Sequence, residues 1–169
     1  MASVDPARIT NLHDIADLQD TRVVVNVPGV NLFVNGSRER ALALRDDIKD
    51  ELINGRAYLR DEVPTALHYR AHPRIGDVVI VAEPGAMISL RRASASPAGM
   101  HGWPPLHPDM GGIFLAAGPD IARNSRVGPI EAIHVYPFLA ELLQLSPNAN
   151  IDGNLSILAP LLTRPVRLP

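Results

Sequence analysis

Met100-His101-Gly102-Trp103 lies within a stretch, Arg91 to Met110, that lacks periodicity and is rich in Ser, Pro, Gly and His. A stretch of that length without its own periodicity is uncommon in a compact chain and is usually functional or mobile. An imidazole titrates near neutral pH and, when neutral, is a good zinc ligand. His101 is thus a candidate metal ligand, a candidate general base, or a solvated loop residue. His107 and Asp109 follow, but His-x5-His-x-Asp is not a recognised ligand spacing. There is no Gly-rich phosphate loop, no paired-carboxylate motif and no nucleophile elbow. The absence of cysteine excludes disulfides, thiolate zinc sites and a cysteine nucleophile.

The other chemistry-bearing residues read as structural. His68 and His72 flank a turn and are expected on the surface. His134 precedes a helix, as a cap or a solvated residue. Tyr136, at helical spacing, is expected in the core, and Asp109 is expected to orient the loop.

The elements that must position these groups alternate between strand and helix patterns. Val23–Val27 and Val30–Val34 are β-rich runs separated by a Pro28-Gly29 turn. Ser37 is a candidate N-cap for a helix whose apolar positions are Leu42, Leu44, Ile48 and Leu52, with Asn54-Gly55 as its stop. Ala57–Arg60 reads as a strand. Strand, helix and strand suggest a small α+β unit, ferredoxin-like in the sense of a split βαβ. Asp77–Glu83 and Gly112–Ala117 are near-continuous apolar runs of the kind buried on both faces of a sheet. Met87–Leu90 is a further strand candidate. Val135–Leu145 has helical spacing through Val135, Phe138, Leu139, Leu142 and Leu143, with Pro137 confined to the first turn. A short apolar run spans Leu155–Leu162.

Composition bounds the partners. The 169 residues are 46% hydrophobic and 20% charged, enough apolar material for a core and too much for wholesale disorder. Aromatics are only 4%, so aliphatic side chains must fill that core. A formal net charge of -2 supplies no global field for a nucleic-acid backbone. No apolar run approaches the ~20 residues of a membrane helix. Met1–Pro6 has neither a basic nor an apolar signal-peptide region, which leaves the compartment open.

Three blocks, read in order, carry a resemblance. They are Met100-His101-Gly102-Trp103, Pro108-Asp109-Met110 and Ile113-Phe114-Leu115-Ala116-Ala117-Gly118-Pro119. Pro129-Ile130-Glu131, then His134-Val135-Tyr136-Pro137, then Asn150-Ile151-Asp152-Gly153-Asn154-Leu155 continue the series. Leu67-His68-Tyr69-Arg70 and His72-Pro73-Arg74-Ile75 precede it. Together they resemble a bacterial member of the type I phosphodiesterase/nucleotide pyrophosphatase family, in the alkaline phosphatase superfamily, along nearly the whole chain. Trp103 stands where the family usually has Tyr, and Pro104-Pro105 where many members have Asp-Asn.

The resemblance implies an α/β fold: the C-terminal portion of an alkaline-phosphatase-like α/β/α sandwich. Residues 20–75 would form the small α+β (ferredoxin-like) lid and 76–169 the remainder of the core. It implies hydrolysis of phosphodiester or pyrophosphate bonds in nucleotides or related small-molecule phosphoesters. Two zinc ions are held by Asp and His side chains, and a Thr or Ser nucleophile attacks phosphorus. His101 matches the histidine ligand of the His-Gly-aromatic loop. The nucleophile and the other ligands match nothing here. Met1 resembles the methionine that follows the family's Asp-His-Gly. The expectation is therefore a truncated reading of a longer coding sequence, inactive alone and marginally stable, with Val78–Val81 and Ile113–Ala116 left bare. The alternatives are a non-catalytic α+β interaction module, or a phosphomonoester or phosphonate hydrolase of the same superfamily.

Overall fold

A computed structural model describes residues 1–26, 28–91 and 97–164. Val27 and residues 92–96 of the expected strand and loop lie outside this set. The chain divides into two compact units, Met1–Gly112 and Ile113–Pro169.

The first unit contains strands β1 (Ile9–Asn11), β2 (Thr21–Asn26), β3 (Gly29–Val34), β4 (Gly55–Leu59), β5 (Val78–Ala82) and β6 (Met87–Ser89), and helix α1 (Arg38–Glu51). β2, β3, β5 and β4 form one sheet in that order, with every neighbouring pair antiparallel. β3 and β4 are joined by α1 and run parallel, with β5 inserted between them. This is the split βαβ of the expected α+β unit. The β2–β3 hairpin closes with Asn26 opposite Gly29. A Cβ on Gly29 would lie 2.7 Å from the Ile80 carbonyl oxygen, so the close strand approach requires glycine.

α1 buries Ala41, Leu44 and Ile48 against Val30, Leu32, Ala57, Val78 and Ile80. Leu42, expected inside, is 39% exposed, because the i, i+3, i+7 face runs through Ala41 instead. Ser37 occupies the N-cap but makes no cap hydrogen bond with its side chain. Its hydrogen bond to Glu39, reinforced by the first-turn backbone, holds that carboxyl below its usual range.

Val78–Val81, expected to be left bare, instead lie in an inner strand of this antiparallel sheet, with Val78, Val79 and Ile80 buried and Val81 partly buried. α1 covers one face of β5, and Val63 and Ile75 pack on Val79 from the other. The two-sided burial explains the continuous apolar pattern without a parallel sheet. Parallel pairing does occur between β1 and β6, with Ile9, Thr10 and Asn11 opposite Met87, Ile88 and Ser89.

The second unit packs Phe138, Leu158 and Leu161 into its own small core, with Phe114 edge-on to Phe138 at 6.1 Å. Helix α2 (Val135–Leu142) is shorter than its apolar pattern. Pro137 lies in its first turn, where no backbone donor is lost. Phe138 and Ala140 are buried, whereas Leu139 and Leu143, expected inside, are 49% and 66% exposed. Arg164 donates to the Glu141 and Leu142 carbonyls and so satisfies the C-terminal end of α2. Ile113–Ala117, expected as a buried strand, belongs to no ladder, and Ile113 and Leu115 are 89% and 88% exposed. Only Phe114 of this stretch packs into the local core.

Candidate functional site

His101 is exposed, and the backbone on either side of it is fixed. On one side Met100 pairs with Ala2: Met100 N donates to the Ala2 carbonyl at 2.8 Å, and Ala2 N donates to the Met100 carbonyl at 2.9 Å. On the other side Trp103 is buried, and its indole N–H donates to the Ala86 carbonyl at 2.8 Å. Gly102 joins the two anchors with φ 103°, a conformation that side-chain-bearing residues rarely adopt. The result is an imidazole held out in solvent on a short, doubly fastened bend.

The loop beyond is tied down locally. His107 Nδ1 accepts from Asp109 N at 3.3 Å, and the amino group of Met1 donates to the Asp109 carbonyl at 2.7 Å. Asp109 thus fastens the loop through its backbone N–H and carbonyl. Residue 1 lies beside the same loop that carries His101.

The structure does not gather the remaining histidines around His101. His68 takes a left-handed backbone (φ 47°) and is exposed. His72 is exposed, and its Nδ1 accepts from Arg74 N. His134 Nδ1 accepts from Asn154 N at 3.0 Å, fastening the start of α2 to the C-terminal segment. Tyr136, expected in the core, is 49% exposed and accepts from Asn148 N through its hydroxyl, so it clips a loop rather than filling a core.

Among the described residues no group of three or more His, Cys, Asp or Glu side chains is placed to hold a metal ion. Catalytic zinc takes three protein ligands and structural zinc four. The residues present therefore do not form a zinc centre by themselves, and His101 could supply at most one arm. Trp103 is the residue that sequence reasoning undervalued. The single tryptophan of an aromatic-poor chain, next to the candidate ligand, was the available signal.

The fold class emerges from solved structures. Human ectonucleotide pyrophosphatase/phosphodiesterase 5 superposes with a TM-score of 0.82 over 96% of this chain and 42% of its own, at 22% identity. The murine protein, in complex with AMP, gives 0.81 over 95% and 42%, also at 22% identity. The alkaline-phosphatase-like α/β class expected from the sequence is the class of these neighbours.

The sequence then gives the family. The profile described as type I phosphodiesterase / nucleotide pyrophosphatase matches residues 1–104, and the chain belongs to that family. Ectonucleotide pyrophosphatase/phosphodiesterase family member 7 of Homo sapiens is 34% identical over 124 residues, 73% of this chain and 27% of its own length. The bis(5'-adenosyl)-triphosphatase enpp4 of Mus musculus is 32% identical over 99 residues, 59% of this chain and 21% of its own. The chain thus spans well under half the length of the relatives it matches. The family hydrolyses phosphodiester and pyrophosphate bonds and is metal-dependent. No helix among the described residues is long and apolar enough to cross a membrane.

Proposed function

We propose that this chain is one part of a zinc-dependent phosphodiesterase/nucleotide pyrophosphatase. It contributes His101 as a single ligand to a centre completed by polypeptide outside the chain, and it is inactive alone. The substrate class is a nucleotide or related small-molecule phosphoester. The observation that carries this reading is the geometry of His101: exposed, on a bend fastened by Ala2–Met100 and Trp103–Ala86. Fixed ligands bind metal with less ordering entropy than mobile ones.

The test is a longer polypeptide in which this chain follows the preceding part of a family member. It is expected to bind zinc and to cleave a nitrophenyl phosphodiester faster than a nitrophenyl phosphomonoester. His101→Ala should lower both zinc content and rate. Full zinc content and rate in that variant would remove His101 from the site. Preference for the monoester would move the chain to phosphomonoester chemistry within the superfamily.

One observation favours a second reading, a non-catalytic α+β interaction module. The first unit has its own continuous core, from Val4 and Leu12 through Leu32, Ile48 and Ile80 to Trp103. That reading expects no gain of activity in the longer polypeptide.

A further inference from the structure

The four-stranded sheet has a second face, opposite α1. Pairing registers fix its membership: Arg22 lies opposite Phe33, Val24 opposite Asn31, and Arg56 opposite Val81. Among the described residues no α-helix packs there. The segment from Val63 to Ile75 arches over part of it, buried at both ends. The middle of the arch is fastened through Asn31, whose Nδ2 donates to the Tyr69 hydroxyl at 3.1 Å.

This face is electropositive. β2, β3, β4 and β5 contain no Asp or Glu, and neither does any position from Val63 to Gly76. Arg22 and Arg56 are exposed on the edge strands, and Arg70 and Arg74 are exposed on the arch, which also carries His68 and His72. Elsewhere in the unit Arg8, Arg38, Arg40, Arg45 and Arg60 each pair with a carboxylate. Among the described residues none pairs with Arg22, Arg56, Arg70 or Arg74. Arg22 and Arg56 on the sheet, and Arg70 and Arg74 on the arch over it, thus stand without a carboxylate partner among the described residues, as does Arg91 elsewhere in the unit.

We propose that this face docks on a membrane surface rich in anionic phospholipid, with Arg22, Arg56, Arg70 and Arg74 each contacting a headgroup phosphate. Guanidinium donors match phosphate oxygens in pairs. The spacing selects an array over a single anion. β2 and β4 are the two edges of the sheet, about 14 Å apart at ~4.8 Å per strand spacing, and the registers offset Arg56 from Arg22 by about four residues, ~13 Å, along the strands, so the two start roughly 19 Å apart. The arch sits on the face that both edges share. The four exposed arginines are therefore spread in two dimensions rather than gathered about one point, which suits a plane of headgroups better than one enclosed phosphate. The aromatics argue against nucleic acid. The Arg22 guanidinium covers the Phe33 ring at 4.0 Å, Tyr69 is tethered by its hydroxyl, and Tyr58 packs against the small core at Val79. No ring of this face is left free to stack a base. The proposal does not depend on His101 or on zinc.

The test is co-sedimentation of the full chain with phosphatidylcholine vesicles, with and without half phosphatidylglycerol. Binding is expected only to the anionic vesicles, and it should weaken with salt. Each Arg→Gln change at 22, 56, 70 or 74 should lower the partition coefficient roughly fivefold. Arg40→Gln, on the α1 side, should leave it unchanged. Glycerol phosphate at equal phosphate concentration should not compete, and competition by it would instead assign a free-anion site. If the quadruple variant loses its native circular dichroism, the double variant Arg70→Gln with Arg74→Gln decides, because both positions are exposed and outside the sheet. Equal partition of that variant and the unchanged chain, binding to neutral vesicles, or tighter binding to a single-stranded oligonucleotide would each overturn the proposal.

Discussion

Trp103 Nε1 donates to the Ala86 carbonyl at 2.8 Å, which couples the bend carrying His101 to the residue before β6. The indole is 3% exposed, so this bond lies out of water and its loss leaves a carbonyl with little alternative.

Trp103→Phe therefore removes the donor while keeping most of the ring. The expected cost is about 1–3 kcal/mol, the penalty for a buried acceptor left unsatisfied. Urea denaturation followed by circular dichroism measures it. As the single tryptophan of the chain, Trp103 also reports its own environment. Native emission should be blue-shifted and should move red in the same transition as the loss of secondary structure. A red-shifted native spectrum would contradict the buried placement.

Asn31 is a second buried joint. It is 4% exposed, and its Oδ1 accepts from Gly76 N at 2.9 Å while its Nδ2 reaches the Tyr69 hydroxyl. Asn31→Ala strands the Gly76 donor and should cost about 1–3 kcal/mol, whereas Tyr69→Phe removes one half-exposed partner and should cost ~1 kcal/mol or less. The double variant should cost less than the sum of the two, since both disable one bond. Strict additivity in the same denaturation series would mean the arch is not fastened through this contact.

The split βαβ was legible because each of its parts has a local signal: a Pro-Gly turn, a polar residue before an apolar period, and short β-rich runs. The identity of the inward helical positions was less so, because Ala41 carries little hydrophobic signal and Leu42 a strong one. The sheet assignment of Val78–Ala82 was misread because burial on both faces erases alternation whatever the strand direction. His101 could be singled out only through neighbouring motifs, since a lone loop histidine has no period. The anchors that hold it, Ala2 and Ala86, contribute backbone atoms alone and leave no mark in side-chain type. Ile113–Ala117 carries the pattern of a buried strand and yet is exposed, so there the sequence pattern and the packing of this chain part company.

Acid stability offers a test of the sheet-to-helix ion pair. The hydrogen bond from Arg38 to Asp61, 2.8 Å long, holds the Asp61 carboxyl below its usual range. A depressed folded-state value contributes stability above the unfolded value, near 3.9, and loses it as pH falls through the folded value. Arg38→Gln should raise the Asp61 midpoint toward the ordinary aspartate range in an NMR titration. The variant should then be slightly less stable than the unchanged chain near neutral pH and should lose less stability as pH falls below about 4, so that the two converge in acid. Both side chains are more than half exposed, so the effect should be small and should shrink in high salt. An unchanged midpoint in the variant would remove Arg38 as the cause.

The exposed segment Ile113–Ala117 is expected to drive association of the chain in solution. Ile113 and Leu115 are both nearly fully exposed, while Phe114 between them packs into the local core. An exposed apolar segment outside any ladder offers unpaired backbone groups and apolar side chains to another chain and favours association. Ile113→Lys with Leu115→Lys places charge on the outward positions and leaves Phe114 in place. Static light scattering should show less association, and the melting temperature should stay within a few degrees, since neither side chain is buried in the chain. A large drop in melting temperature would mean that these residues are packed in solution. Unchanged association would assign it to another surface, with Leu143 and Leu145 at the end of α2, 66% and 62% exposed, as the next apolar positions to charge.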